Sequence, residues 1–108
     1  MKVSELTKML DLEVVTKGDD SRNVTGCYIG DLLSWVMGKA SEGDAWITIM
    51  SNINIVAVAT LTEAACIILC EGVSVDDDVI QKAEAEGVAI LKSTKTAYET
   101  ALLISGVI

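Results

Sequence analysis

The sequence contains no histidine, no proline and no phenylalanine, and it has few cations. Without histidine, the chain lacks the side chain that most often acts as a general base near neutral pH and that binds most zinc and iron ions. Eight Lys and Arg stand against sixteen Asp and Glu, which gives a net charge of −8. This balance argues against duplex nucleic acid and anionic membranes as partners, because both require clustered cations.

Targeting and membrane signals are also absent. No apolar run reaches roughly 18 residues without a polar break, so no transmembrane helix is expected. The first residues, MKVSELTKML, are too polar for a signal peptide. Three cysteines without an export signal fit a reducing compartment, so a cytoplasmic location is expected. The length of 108 residues predicts a single domain over residues 1–108.

Motifs for catalysis and metal binding are missing. Gly38-Lys39 is followed by Ala40, so the phosphate-loop pattern fails, and neither GxGxxG nor GxSxG occurs. On a strand, Cys66 and Cys70 would lie about 13 Å apart, too far to share a metal. We therefore predict no catalytic residue, no metal and no cofactor, and we interpret the cysteines as small core residues. The two tryptophans, Trp35 and Trp46, are likewise predicted to lie in the core.

The stretch from Asp44 to Gly72 has the pattern of a strand, a helix and a second strand. The run DAWITIM is apolar and rich in β-formers, and CIILC is continuously apolar, which is typical of strands covered on both faces. The segment between them is long enough for a crossover helix. One apolar face fits helical spacing: Ile53, Val56, Ala57, Thr60, Leu61 and Ala64. The alternative is a strand over 53–60, because several of these residues are β-branched.

The remainder of the chain continues the alternation of strands and helices. Helices are predicted over 4–10, over 32–37 with Asp31 as its cap and Gly38 at its end, over 77–86 after three aspartates, and from a capping box at Thr96 and Glu99. Strands are predicted over 12–16, 24–29 and 88–91. This order predicts an α/β fold with a mainly parallel sheet of about five strands between two helical layers.

Small polar residues follow the predicted strands, and one edge of a parallel sheet collects such positions. Ligands of open α/β sheets bind beyond the carboxyl ends of the strands, and helix N-termini there attract anions. The candidate ligand-binding residues are Ser51, Asn52, Asn54, Gly72, Lys92, Thr94, Lys95 and Thr96. A small anionic metabolite or a nucleotide would suit them. Ordinary capping and turn chemistry is the competing explanation.

Several segments resemble the DRTGG domain family, which is related in fold to the N-terminal domains of HPr kinase/phosphorylase and MurF. They are VTGCYIGDLLSWVMG at 24–38, DAWITIM followed by SNINIVAVA, the IILCEG turn, and STKTAYETA at 93–101. The resemblance implies a three-layer α/β/α domain with a regulatory or scaffolding role and no established activity. Two positions depart from the family pattern: Ser51-Asn52 stands where the family has Asp-Arg, and Glu71-Gly72 stands where it has paired glycines.

Three hypotheses about function follow. The first is a non-catalytic regulatory or interaction module, expected to form a homodimer because so much of a small chain is apolar. The second is a partner or assembly factor for a hydrogenase or electron-transfer system, since stand-alone members of the family resemble proteins encoded near such genes. The third is an enzyme related to serine kinases, a label used for some members. The missing phosphate loop disfavours the third hypothesis.

Overall fold

The computed structural model describes all 108 residues and contains five helices and five strands. Helix and strand alternate from β2 onward, as the hydrophobic pattern predicts. The elements in chain order are α1 (Val3–Met9), β1 (Glu13–Thr16), β2 (Gly26–Ile29), α2 (Leu33–Lys39), β3 (Asp44–Thr48), α3 (Asn54–Thr62), β4 (Cys66–Leu69), α4 (Asp77–Glu86), β5 (Ile90–Lys92) and α5 (Ala97–Ser105).

The strands form one five-stranded sheet in the order β1-β5-β4-β3-β2. Strands β2 to β5 are mutually parallel, with Ala45 of β3 opposite Cys66 of β4 and Ile67 of β4 opposite Ile90 of β5. Only β1 runs antiparallel, beside β5. The prediction of a mainly parallel sheet of about five strands is therefore confirmed.

Helices cover both faces of the sheet, and each face has its own apolar core. On one face Trp46 and Ile67 pack with residues of α2, α3 and α4. On the other face Ile47 and Ile68 pack with residues of α1 and α5, including Ile104. Alternation along each strand sends successive side chains to opposite cores. The predicted three-layer α/β/α architecture is confirmed.

Helix α3 confirms the crossover predicted between β3 and β4 and excludes a strand over residues 53–60. The predicted buried face is wrong in part, because Ile53 and Leu61 are 40% and 68% exposed. The side chains that α3 buries are Ile55, Val56, Val58 and Ala59. Apolar residues surround most of this helix, so periodicity alone could not identify the side that meets the sheet.

The connection from β2 to α2 differs from the prediction. Asp31 does not cap α2, whose N-cap is Leu32. The Asp31 carboxylate instead turns to β3, where it accepts hydrogen bonds from the Thr48 hydroxyl (2.8 Å) and the Ile49 backbone N–H (2.9 Å). Gly38 lies inside the helix rather than after it, because α2 continues to Lys39.

The two tryptophans have opposite environments. Trp46 is fully buried and its indole N–H donates to the Gly30 carbonyl at 2.9 Å, which confirms the prediction for this residue. Trp35 is 58% exposed, so its predicted place in the core is wrong. The ammonium of Lys39, one turn later, lies 4.2 Å from the centre of the Trp35 ring. This cation–π contact shields one face of an otherwise exposed ring.

The antiparallel pairing of β1 with β5 is irregular, and one side chain forms the hydrogen bonds that the ladder lacks there. The register of β1 on β5 shifts between Val14 and Thr16. The buried Thr16 hydroxyl donates to the Val88 carbonyl (2.7 Å) and accepts from the Ile90 N–H (3.0 Å). It thereby satisfies backbone groups next to the shift in the ladder.

No helix of the protein combines the length and apolar character needed to cross a membrane. The longest, α4, has ten residues.

Candidate functional site

Hydrogen bonds join the loops at the carboxyl ends of β4 and β5. The Glu71 N–H donates to the Lys95 carbonyl (2.8 Å), and the Gly72 N–H donates to the Ser93 carbonyl (2.9 Å). Both donors are in the left-handed region, with φ of 58° for Glu71 and 69° for Gly72. Glycine adopts this conformation without strain, whereas Glu71 does so at a cost of about 1–2 kcal/mol. The amide of Gly72 is thus already bonded within the protein.

The carboxyl ends of β2, β3 and β4 are joined in a similar way. The Cys70 N–H donates to the Thr48 carbonyl at 3.1 Å, and Asp31 binds the Thr48 hydroxyl from the other side. Together with the contacts between the β4 and β5 loops, these bonds fix all four carboxyl-end loops relative to one another. We refer to this surface, formed by residues 30–31, 49–54, 70–72 and 93–96, as the carboxyl rim.

The turn from β3 into α3 contains three of the predicted ligand-binding residues, and all three are exposed. The Asn52 side-chain oxygen accepts the Asn54 N–H (2.9 Å), and the Asn52 carbonyl accepts the Ile55 N–H (3.2 Å). The first amides of α3 are therefore bonded locally. Ser51 has no side-chain hydrogen bond within 3.5 Å and lies free on the surface.

The turn from β5 into α5 contains Thr94, Lys95 and Thr96, also exposed. The predicted capping box is confirmed: Glu99 N–H donates to the Thr96 hydroxyl, and the Glu99 carboxylate accepts the Thr96 N–H, each at 3.1 Å. The hydrogen bond from the Thr96 backbone, followed by that from its hydroxyl, lowers the pKa of Glu99. A carboxylate of the chain itself therefore occupies the helix terminus that an anionic ligand would use.

Lys92 lies apart from the other candidates. Its ammonium donates to the Ser74 hydroxyl at 2.8 Å, and it lines a cleft of about 190 Å³ with Glu13 and Val15. None of the remaining candidate residues borders any of the four cavities in the molecule. The structure brings Ser51, Asn52, Asn54, Gly72, Thr94, Lys95 and Thr96 to one edge of the sheet, on an open surface.

The three thiols have raised pKa values. Burial raises the pKa of Cys66 to about 12 and also raises that of Cys70. Cys27, on the edge strand β2, is exposed, so its predicted place in the core is wrong, whereas Cys66 and Cys70 are buried as predicted. Partial desolvation of the Cys27 thiol, followed by the nearby Asp44 carboxylate, raises its pKa to about 11. A reactive cysteine has a lowered pKa, so these thiols are poor nucleophiles. No group of three or more Cys, Asp and Glu side chains is placed to hold a metal ion.

Sequence reasoning missed the part that Asp31 plays. Its position directly after a strand suggested a helix cap, and nothing local identified Thr48 as its partner. That pairing depends on the register of β2 against β3, in which Ile29 lies opposite Ile47. A threonine at the end of a neighbouring predicted strand was the only signal available.

The fold and the rim define a small three-layer α/β module with a polar edge. The model of the DRTGG domain family matches residues 5–107. The chain therefore belongs to the DRTGG domain family, and the resemblance noted in the sequence is confirmed.

A solved structure with a similar fold is that of the CBS and DRTGG domains of the regulatory region of Clostridium perfringens pyrophosphatase, complexed with its activator, diadenosine tetraphosphate. The TM-score is 0.77 at 15% sequence identity, and the match covers 95% of this chain and 45% of that one. The match thus spans less than half of the length of that chain. No curated protein matches the chain in sequence. At this level of identity, the likeness to this neighbour shows a shared fold.

Proposed function

We propose that the protein is a non-catalytic regulatory module that binds a small anionic metabolite or nucleotide at the carboxyl rim and acts as a homodimer. The observation that carries this proposal is the rim itself, where a DRTGG fold holds four loops rigidly together and presents hydroxyl, amide and ammonium groups. Such a surface can recognise a polar ligand.

The ligand chemistry follows from the groups that are free. Ser51, Thr94 and Lys95 have side chains directed at solvent, whereas most of the amides at the rim are bonded within the chain. Recognition would therefore use the Lys95 ammonium and hydroxyl groups more than helix termini. Lys95 makes no ion pair, because the one salt bridge of the protein joins Lys82 and Glu86. The nucleotide activator of the structural neighbour makes nucleotides the first ligands to test.

A direct test measures thermal stability with ATP, AMP, diadenosine tetraphosphate and inorganic phosphate, each with calorimetric titration. Ligand at 100 times its Kd stabilises a protein by about 2.7 kcal/mol, which is easily measured as a rise in Tm. We expect at least one nucleotide to raise Tm and Lys95→Gln to weaken its binding about tenfold.

The matched control is Lys82→Gln, which removes the same charge on α4, away from the rim, and should leave affinity unchanged. If no nucleotide or phosphate binds at millimolar concentration, the ligand part of the proposal is wrong. Equal losses in both variants would place binding elsewhere or attribute it to net charge alone.

The homodimer is proposed at the β2 side of the molecule. Leu32 and Trp35 on the α2 side are 60% and 58% exposed, and Tyr98 and Leu102 on α5 are 71% and 52% exposed. Helix α5 contacts β2 and β3 on the opposite face of the sheet from α2. We call the edge of β2 with these flanking side chains the β2 surface. Its apolar side chains are the type that protein interfaces bury at their centres.

A hetero-partner, such as a component of an electron-transfer system, is the second candidate, and the same β2 surface favours it. An apolar surface of this kind on a small protein usually marks an interaction site. The two candidates differ in the state of the purified chain. A monomer at micromolar concentration that co-purifies with one defined protein from its native host would favour the hetero-partner over the homodimer.

A further inference from the structure

A cleft of about 240 Å³ lies between α1 and the β1 edge of the sheet, away from the carboxyl rim. Its lining residues are Ser4, Thr7, Lys8, Val14, Lys17, Asp20 and Leu91. We propose that this cleft binds a small carboxylate with an apolar body, for example a short-chain or aryl monocarboxylate. The inference is independent of the ligand proposed at the rim.

The floor of the cleft is a cross-strand pair. Val14 of β1 lies opposite Leu91 of β5 in the antiparallel ladder. Helix α1 packs on the sheet through Val3 and Leu6, which are fully buried, and it leaves Val14 52% exposed. An apolar side chain on a sheet face, beside a helix that does not cover it, gives hydrocarbon a surface to bury.

The cleft is the one cavity of the four that two cationic side chains line, namely Lys8 and Lys17. Neither forms an ion pair, since the sole salt bridge lies on α4. Each lysine comes from a different wall, Lys8 from α1 and Lys17 from the residue after β1. A carboxylate over the floor would meet ammonium groups from both walls.

The remaining polar groups limit the charge of the ligand. Ser4 offers a hydroxyl, whereas the Thr7 hydroxyl already donates to the Val3 carbonyl at 2.8 Å. Asp20 contributes a negative charge, and its backbone carbonyl accepts the Ser4 N–H at 2.9 Å, which fixes the loop against α1. Two ammonium groups and one carboxylate favour a monoanion over a polyphosphate.

The size of the cleft sets the size of the ligand. At about 240 Å³ it would hold eight or so water molecules at roughly 30 Å³ each. It is smaller than the roughly 300–1,000 Å³ of pockets for drug-sized ligands. A molecule such as hexanoate or benzoate fits this volume, and a dinucleotide does not.

The test is an NMR titration of the ¹⁵N-labelled full chain with hexanoate, with hexanol and with inorganic phosphate at matched ionic strength. Hexanoate should shift the amides around Ser4, Thr7, Val14 and Lys17, with an affinity at least tenfold above that of either control compound. The double variant Lys8→Gln/Lys17→Gln should lose about tenfold in hexanoate affinity, and Lys82→Gln should not.

Three outcomes would overturn the proposal: amide shifts scattered over the surface, phosphate binding as well as hexanoate, or hexanoate binding that the double variant retains. Hexanol binding as well as hexanoate would also do so, because it would make the lysines irrelevant. Val14→Thr, which keeps the shape of the floor and replaces one of its methyl groups with a hydroxyl, should weaken hexanoate binding while the fold is preserved. Lys95→Gln, which tests the rim, should leave hexanoate binding intact, so that failure of one site does not imply failure of the other.

Discussion

The β1 edge of the sheet carries charge and a register shift, whereas the β2 edge carries neither. Glu13 lies in β1, Lys17 follows it, and the ladder is irregular between Val14 and Thr16. From Val24 to Gly30 the chain has no charged residue at all. Charges and bulges are the features by which proteins keep an edge strand from pairing with another chain. The β1 edge is protected against assembly by its own residues, and the β2 edge is available for it.

The helices beside the two edges differ in the same sense. Helix α4, which contacts β1, exposes mainly charged side chains, including Asp77, Lys82 and Glu86. Helices α2 and α5, which flank β2, expose Trp35 and Tyr98 together with leucines. A chain with a net charge of −8 repels a second copy wherever carboxylates meet. The β2 surface is where two copies could meet with little of that repulsion.

The largest expected effect comes from placing a charge on the β2 surface. Trp35→Glu should weaken the dimer by about 100-fold or more, because truncating a central aromatic anchor often costs 2 kcal/mol or more and the new carboxylates would repel. Sedimentation equilibrium over a concentration series measures the change.

Met9→Glu is the matched control, since Met9 on α1 is 59% exposed and Trp35 is 58% exposed. This control should leave association unchanged. If both variants dissociate alike, or if the wild-type chain is a monomer at all concentrations, the difference between the two edges does not direct self-association.

A smaller effect is expected from the side chains that fasten each edge. Thr16→Val should lower the free energy of unfolding by about 2 kcal/mol, because it leaves the buried Ile90 N–H without its acceptor. Asp31→Asn should cost about 1 kcal/mol, because Asp31 is exposed and asparagine retains an acceptor oxygen. Urea unfolding followed by circular dichroism gives both values. A larger loss for Asp31→Asn would reverse the order and would show that the β2 edge is the more tightly held.

The smallest effect concerns the reactivity of Cys27 on β2. With a pKa of about 11, its thiol is almost entirely neutral at pH 8, and its labelling by a disulfide reagent should be slow. Because the pKa is raised, the labelling rate should increase about tenfold per pH unit up to that value.

In a dimer through β2, labelling should slow further as protein concentration rises. Cys27→Ser should abolish labelling of the folded chain, since Cys66 and Cys70 are buried. A Cys27 labelling rate that does not change with protein concentration would argue against burial of β2 in a dimer.

The sequence predicted the order of elements and the three layers because hydrophobic runs and turn residues carry that information locally. It did not predict which side of α3 meets the sheet, since Ile53 and Leu61 are as apolar as the buried Ile55. The sequence also did not predict that Trp35 is exposed, because a large aromatic ring on a helix is more often buried. These details depend on which neighbours a helix receives, and the pattern within one segment does not contain them.

The sequence predicted where the candidate residues lie, but not which of their polar groups are free to bind a ligand. The polar residues that follow β3, β4 and β5 do gather at one edge, as parallel topology requires. The sequence does not show which backbone amides remain free. The Gly72 and Asn54 N–H groups are hydrogen-bonded within the protein, and their partners depend on the conformation of the loops. Lys92 diverges from Lys95 because it is still part of β5 and its ammonium donates to Ser74, in the loop that precedes α4. Whether the rim binds a ligand stays a prediction.

The pairing of β1 with β5 has a consequence for how the protein is made. Glu13 of β1 lies opposite Lys92 of β5, the fifth strand in chain order. During synthesis β1 therefore stays unpaired until β5 has left the ribosome, whereas the parallel strands can pair in turn. Docking of such a distant segment carries a large loop-closure cost and tends to come late in folding. The segment from α1 to β1 is therefore expected to dock on β5 after the parallel strands have paired.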